Sequence, residues 1–145
     1  AGTGGTSATL GRYVRYRRHD TRILCVDPQH SVFYDYYCGC ADGARNAQLT
    51  LPRGSGIEGI GRPRVEASFA PGVIDRMLVV PNEASYAAMR YLEKLVGKRF
   101  GASTGTDFYG ALRLACEMKE KGQQGSIVAM ACDPGDARGA THAQV

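Results

Sequence analysis

The chain has 145 residues, which is enough to bury one hydrophobic core and form one domain. Its 43% hydrophobic and 22% charged residues are ordinary for a globular protein, and its net charge of +4 is modest. The sequence has no run of about 18 apolar residues, which excludes a transmembrane helix. It also begins without the basic and apolar segments of a signal peptide. We therefore expect a cytoplasmic protein without a membrane partner.

Positive charge is concentrated near the N-terminus, in five arginines: Arg12, Arg15, Arg17, Arg18 and Arg22. Arg12, Arg15 and His19 recur at helical spacing, which favours a solvated helix face. Nucleic-acid binding is the alternative, but no aromatic stacking pattern accompanies the arginines. We therefore expect no nucleic-acid partner.

The chain has five cysteines. Cys38 and Cys40 form the one close pair, and no second Cys or His pair stands at zinc-ligand spacing, so we expect no metal site. Cys25, Cys116 and Cys132 lie in apolar or helical patterns that are typical of small buried side chains. This cysteine usage fits a reducing cytoplasm.

The first motif is Gly2-Thr3-Gly4-Gly5-Thr6, which is typical of a phosphate-binding loop. Its glycines permit a tight turn and let backbone N–H groups approach an anion. Residues 7–18 follow with a helical pattern, and the amides and dipole at the start of that helix would point at the same anion. Such loops usually follow a buried strand, whereas only Ala1 precedes this one. We therefore interpret the sequence as part of a larger protein.

Two ligand classes remain open for this loop taken alone. No Gly-Lys-Ser/Thr sequence follows it, so it is not a nucleotide P-loop. It is close to the dinucleotide fingerprint, although Ser7 stands where the third glycine would be. Asp27, at the end of the next predicted strand, could imitate the acidic residue that binds a ribose. A dinucleotide-binding half-domain is therefore an alternative.

The rest of the chain alternates strands with helices. We predict strands over residues 22–27, 76–80 and 126–132, the last one buried, and helices near 31–37 and over 83–96 and 106–121. Two segments predict loops, the glycine-rich residues 38–72 and the small residues 101–105. Alternating strands and helices predict an α/β fold with a parallel sheet.

Three loop motifs occur in an order that resembles a known family: Gly2-Thr3-Gly4-Gly5-Thr6, Gly56-Ile57-Glu58-Gly59-Ile60-Gly61-Arg62-Pro63 and Gly101-Ala102-Ser103-Thr104-Gly105-Thr106. The order is similar to that of the cysteine synthase family of pyridoxal-phosphate enzymes, which have fold type II, the tryptophan synthase β-like fold. Residues 58–66 and 103–106 look most like its cysteine desulfhydrase branch. The resemblance covers residues 1–135 and implies a three-layer parallel α/β fold whose N-terminal part is missing.

The resemblance implies two binding elements. In the family the first loop holds the phosphate of pyridoxal 5'-phosphate, which carries over to Gly2, Thr3, Gly4, Gly5 and Thr6. Backbone amides and two threonine hydroxyls can supply several donors to such a dianion. The segment Gly59-Ile60-Gly61 looks like the family's mobile loop on the substrate side of the cofactor, where glycine permits closure. An ordinary surface turn is the alternative for this segment.

The chain departs from the family at both ends. The family's Schiff-base lysine lies in an N-terminal Ser-x-Lys motif that this sequence lacks, so we assign no catalytic residue here. All four lysines lie in amphipathic helix patterns typical of a solvated surface: Lys94, Lys98, Lys119 and Lys121. Pro134 stands where family members commonly have a serine that faces the pyridine nitrogen. Residues 136–145 match nothing in the family, and we interpret them as an aberrant or disordered tail.

The function implied by the resemblance lies in cysteine metabolism. The intact protein would be a lyase, an L-cysteine desulfhydrase that converts cysteine to sulfide, pyruvate and ammonia by β-elimination. The alternative is a cysteine synthase, which makes cysteine from sulfide and an O-activated serine. Nothing in the residues separates these two reactions. The resemblance also implies a small amino-acid substrate and a homodimer, and the chain alone should be inactive without its lysine.

Overall fold

A computed structural model describes residues 1–44 and 46–133. Four α-helices and two β-strands lie within them: α1 (Gly5–Arg17), β1 (Leu24–Pro28), α2 (Phe33–Ala41), β2 (Arg76–Val80), α3 (Asn82–Val96) and α4 (Ala102–Glu120). The chain divides into two compact units, Ala1–Asn82 and a second that begins at Glu83. Across the described ranges, no helix is long and apolar enough to cross a membrane.

The two strands of the first unit form a parallel pair, with Leu24 opposite Arg76 and Pro28 opposite Val80. The strand predicted over 76–80 is confirmed, and Pro81 ends it because proline cannot donate to the ladder. The strand predicted over 22–27 begins two residues later than expected, at Leu24. Helix α2 extends to Ala41, beyond the predicted end. Parallel strands joined through a helix confirm the predicted α/β class.

Two stacked aromatic rings form the centre of the first unit. The ring centroids of Phe33 and Phe69 lie 4.3 Å apart, and the ring planes differ by 7°. These rings belong to a cluster of buried side chains from the sheet, α2 and the segment before β2: Cys25, Val32, Phe33, Tyr36, Phe69, Ile74 and Met77. Phe69 thereby anchors the long glycine-rich segment that connects α2 to β2.

In the second unit α3 and α4 approach each other closely at Gly105. A Cβ at this position would overlap Ser85 O and lie 2.7 Å from Met89 Cβ. Thr106 is fully buried, and its Oγ1 lies 2.8 Å from Ser85 Oγ. Helix α4 already begins at Ala102, so the predicted loop over 101–105 is wrong beyond Gly101. The small residues there permit close helix packing and do not form a turn.

The segment 126–132 is not the buried strand that its apolar sequence predicts. The described sheet contains β1 and β2 alone, and Val128 is 94% exposed. An apolar run forms a strand only where a neighbouring strand satisfies its backbone groups, and no described strand pairs with this segment. Cys25 is buried as predicted, whereas Cys132 in this segment and Cys116 on α4 are exposed. Pro134 and the predicted tail over 136–145 lie outside the described residues.

Candidate functional site

The first glycine motif forms a tight turn into helix α1. Gly4 is the N-cap, with a φ of 86° in the left-handed region. The first hydrogen bond of the helix runs from Ala8 N to Gly4 O, at 3.0 Å. The amides of Gly5, Thr6 and Ser7 therefore stand outside the helical ladder at the positive end of the helix dipole. This geometry suits an anion.

Close contacts explain why glycine is needed twice in this turn. A Cβ on Gly4 would lie 2.6 Å from Phe69 Cα, so the turn packs directly on the aromatic core. A Cβ on Gly2 would lie 2.8 Å from Gly59 O. Thr3 and Thr6 point outward and are exposed, which leaves their hydroxyls accessible to a ligand. The turn is thus fixed on one side by Phe69 and open on the other.

The structure brings the predicted substrate segment against the predicted phosphate loop. Gly61 N donates to Ala1 O at 2.8 Å, and Ala1 N donates to Val26 O in β1 at 2.6 Å. Gly59 and Gly61 both have a positive φ, 84° and 72°, which glycine adopts at little cost. The hydroxyl of Ser55 lies 2.6 Å from Ile60 O and holds the segment in its turn. Residues 59–61 therefore lie beside Ala1 and Gly2.

A shallow depression of about 360 Å³ opens beside Thr3, between the two loops and the residues that follow them. Its other lining residues are Arg62, Pro63, Arg64 and Glu66. The backbone of Arg62 is fixed at both ends, since its N donates to Ser31 Oγ at 3.1 Å and its O accepts from Val32 N at 2.9 Å. Sequence reasoning treated these arginines as part of a motif and gave them no role.

Asp27 is wholly buried at the end of β1. Its Oδ2 accepts from Tyr34 N at 3.3 Å, in the first turn of α2. Burial raises the pKa of this carboxyl, and the hydrogen bond from the Ser31 hydroxyl opposes that shift. Asp27 therefore caps α2 inside the protein and does not reach solvent, where a ribose hydroxyl would have to meet it. This removes the main support for the dinucleotide alternative.

The third motif carries a hydrogen-bond network inside the second unit. Gly101 N donates to Asp133 Oδ1 at 2.8 Å, so this carboxylate lies at the N-terminus of α4. Thr104 Oγ1 accepts from Cys132 N at 3.0 Å. Buried Ser103, Thr104 and Thr106 thus tie α4 to its neighbours. In the part of the chain that the structure describes, these residues hold α4 in place.

Cys132 and Asp107 form a pair that sequence reasoning missed. Cys132 Sγ lies 3.4 Å from Asp107 Oδ2. Cys132 is exposed as a residue, but its thiol is partly desolvated, and this desolvation together with the adjacent carboxylate raises the pKa of the thiol to about 11. Desolvation also raises the pKa of Asp107. The thiol therefore stays protonated at neutral pH. The two residues are 25 positions apart, and no local sequence pattern connects them.

The basic residues expected at the surface are exposed. The four lysines Lys94, Lys98, Lys119 and Lys121 all lie on the protein exterior. The described part of the structure therefore offers no buried lysine for catalysis. Arg15 is exposed too, and its Nη2 forms an ion pair with Asp75 Oδ1 at 2.9 Å.

Among the described residues, no group of three His, Cys, Asp or Glu side chains could hold a metal ion.

Comparisons with known proteins identify the family of this chain. Residues 1–133 match the family described as pyridoxal-phosphate dependent enzyme. The chain is 53% identical over 136 residues to L-cysteine desulfhydrase Cds1 of Mycobacterium tuberculosis, covering 94% of the chain and 36% of that protein. It is 31% identical over 146 residues to cysteine synthase 2 of Schizosaccharomyces pombe, covering 93% of the chain and 35% of that protein.

A solved structure supports the same fold. It is an O-acetylserine dependent cystathionine beta-synthase from Helicobacter pylori, which is 27% identical, with a TM-score of 0.64 over 96% of the chain and 41% of that protein. The family resemblance, the parallel α/β class and the cofactor class inferred from the three motifs are confirmed. The chain spans about a third of the length of the curated relatives it matches.

Proposed function

The chain belongs to the pyridoxal-phosphate dependent enzyme family, and on that premise we propose that it is part of the C-terminal portion of an L-cysteine desulfhydrase. The longer protein that would contain it is called the parent protein below. Its reaction would be β-elimination of cysteine to sulfide, pyruvate and ammonia. The 53% identity to L-cysteine desulfhydrase Cds1 is the observation that carries this proposal.

In this proposal the loop Gly2–Thr6 holds the phosphate of the cofactor. The fit rests on three features: amides outside the helical ladder at Gly5 and Thr6, exposed hydroxyls on Thr3 and Thr6, and the positive end of the α1 dipole. Side chains at Gly2 or Gly4 would collide with Gly59 or Phe69 and displace the turn. The residues present therefore suit a phosphate dianion.

We assign the substrate side of the site to Gly59, Ile60 and Gly61. Their position against Ala1 and Gly2 supports this assignment, because a molecule bound at the phosphate loop would extend past them. The two positive-φ glycines give the segment backbone freedom to adjust around an amino-acid substrate. Their role is to orient the substrate and exclude water, since none of the three carries a group that can transfer a proton.

All four lysines of the chain are exposed, so we assign the chain a binding role and no catalytic base. Bound pyridoxal phosphate supplies the electron sink that allows the α-proton to be removed and the β-substituent to leave. This chain binds and orients that group, while the base would come from the remainder of the parent protein. Residues 1–135 would then be one portion of an enzyme domain and 136–145 a separate tail. A cytoplasmic homodimer without a nucleic-acid partner completes the proposal.

The parent protein should show a visible absorbance band that borohydride abolishes, and it should release sulfide and pyruvate from cysteine. A parent that makes cysteine from sulfide and O-acetylserine much faster than it degrades cysteine would instead be a cysteine synthase, as the 31% identity to cysteine synthase 2 suggests. A colourless parent that binds a dinucleotide tightly would overturn the proposal as a whole.

A further inference from the structure

One residue that lines the depression beside the phosphate loop is an arginine for which the described residues supply no ion-pair partner. Thr3 and Arg62 line it together, and Arg62 follows directly after Gly61. Its backbone is held by Ser31 and Val32, and its side chain is half-buried. The two backbone hydrogen bonds fix the point from which the Arg62 side chain extends, directly after the segment that bonds to Ala1. Its positive charge is therefore available to an anion in this depression.

The charges around the depression single out Arg62 from its neighbour Arg64. Arg64 Nε lies 3.5 Å from Glu66 Oε1, and the Arg64 side chain is 74% exposed. In the part of the chain that the structure describes, no carboxylate forms an ion pair with Arg62. The Glu66 carboxylate on the rim is engaged by Arg64. Arg62 is thus the lining cation with an unmet preference for an oxyanion.

We propose that Arg62 binds an oxyanion in the depression beside Thr3, either the phosphate of the cofactor or the carboxylate of the amino-acid substrate. The inference rests on the proposed function and adds a side chain that the loop motifs do not assign. A planar guanidinium can donate two parallel hydrogen bonds to either group, and it adds a full positive charge to the neutral amide donors of the turn. The two sources differ in what the loss of Arg62 weakens.

The test uses the parent protein with Arg62→Ala, Arg62→Gln and the matched control Arg64→Ala, which removes the same charge from the same depression. Dissociation constants for pyridoxal phosphate and for pyridoxal, which lacks the phosphate, are measured by spectral titration of the cofactor-free protein. KM and kcat for cysteine are measured on the loaded protein. Arg62→Gln keeps most of the side-chain packing and decides the result where Arg62→Ala folds poorly.

We expect a rise of about ten- to a hundredfold in one constant for both Arg62 variants, and less than about threefold for Arg64→Ala. A rise for pyridoxal phosphate but not for pyridoxal assigns the phosphate, and a rise in KM for cysteine with unchanged cofactor affinity assigns the carboxylate. Unchanged constants, or equal effects of Arg62 and Arg64, overturn the inference. A wild-type parent that binds no pyridoxal phosphate refutes the proposed function instead.

Discussion

Replacing Gly4 with alanine should destabilise the first unit much more than the same change at Gly43. Both glycines have a left-handed backbone, with φ of 86° and 75°, so both substitutions carry a strain of about 1–2 kcal/mol. A Cβ at Gly43 would meet nothing within 4 Å, whereas one at Gly4 would lie 2.6 Å from Phe69 Cα and 2.8 Å from Phe69 Cβ. Overpacking of this kind adds about 1–3 kcal/mol. We therefore expect a total of about 2–5 kcal/mol for Gly4→Ala.

Urea unfolding of the cofactor-free parent protein measures this difference for Gly4→Ala, Gly43→Ala and wild type. Titration with pyridoxal phosphate then tests the site, and we expect affinity to fall about tenfold or more for Gly4→Ala while Gly43→Ala leaves it unchanged. Equal losses of stability in the two variants would show that Gly4 does not pack on Phe69. A large stability loss with unaltered cofactor affinity would remove the phosphate from this loop.

Three further predictions concern the buried acids and the chain as a whole. Because burial raises the pKa of Asp27 above its ordinary 3.8, the native state keeps a proton that the unfolded state releases, and stability falls as pH rises through the folded pKa. The stability of Asp27→Asn relative to wild type should therefore increase as the pH rises from acid to neutral, as measured by denaturant titrations. A difference in stability that does not depend on pH contradicts this. Asp107→Asn should speed alkylation of Cys132, judged by peptide mass spectrometry against Cys116, because the Asp107 carboxylate contributes, after burial, to the raised pKa of the Cys132 thiol and so lowers its thiolate fraction; an unchanged ratio refutes the pairing. The isolated chain should release no sulfide or pyruvate from cysteine above free cofactor, and measurable release would place a base within it.

Local patterns predicted the elements whose stability is local. The strand over 76–80 has an apolar run and a proline stop, and helix 83–96 begins within one residue of its observed start at Asn82. The prediction over 126–132 was wrong because a strand also needs a partner, which no local pattern supplies. The predicted loop over 101–105 was wrong beyond Gly101 because glycine occurs both in turns and where two helices pack closely. Gly105 permits the contact of α4 with Ser85, and a run of small residues looks the same in either setting.

The candidate site divides in the same way between what is local and what is not. The turn at Gly2–Thr6 could be predicted from its glycines and the helix behind it. The position of Gly59 beside Gly2 could not be predicted from local patterns, because the two residues lie far apart in the sequence. The family resemblance alone suggested that the two loops belong to one site. Arg62 lay within a motif that gave it no role, and the pair of Asp107 with Cys132 had no local signal. Such contacts depend on how the chain folds back, which spacing does not encode.

The hydrogen bonds of Ala1 imply that the two loops are mechanically connected. Ala1 N bonds to β1 through Val26 O, and Ala1 O accepts from Gly61 N, so one residue joins the sheet to the substrate segment. Gly61 is itself confined, because a Cβ there would lie 2.7 Å from Pro28 Cγ and from Ser55 Cβ. Gly59 has no such neighbour. The segment is therefore held at Gly61 and, through Ser55, at Ile60, whereas a side chain added at Gly59 would meet open space.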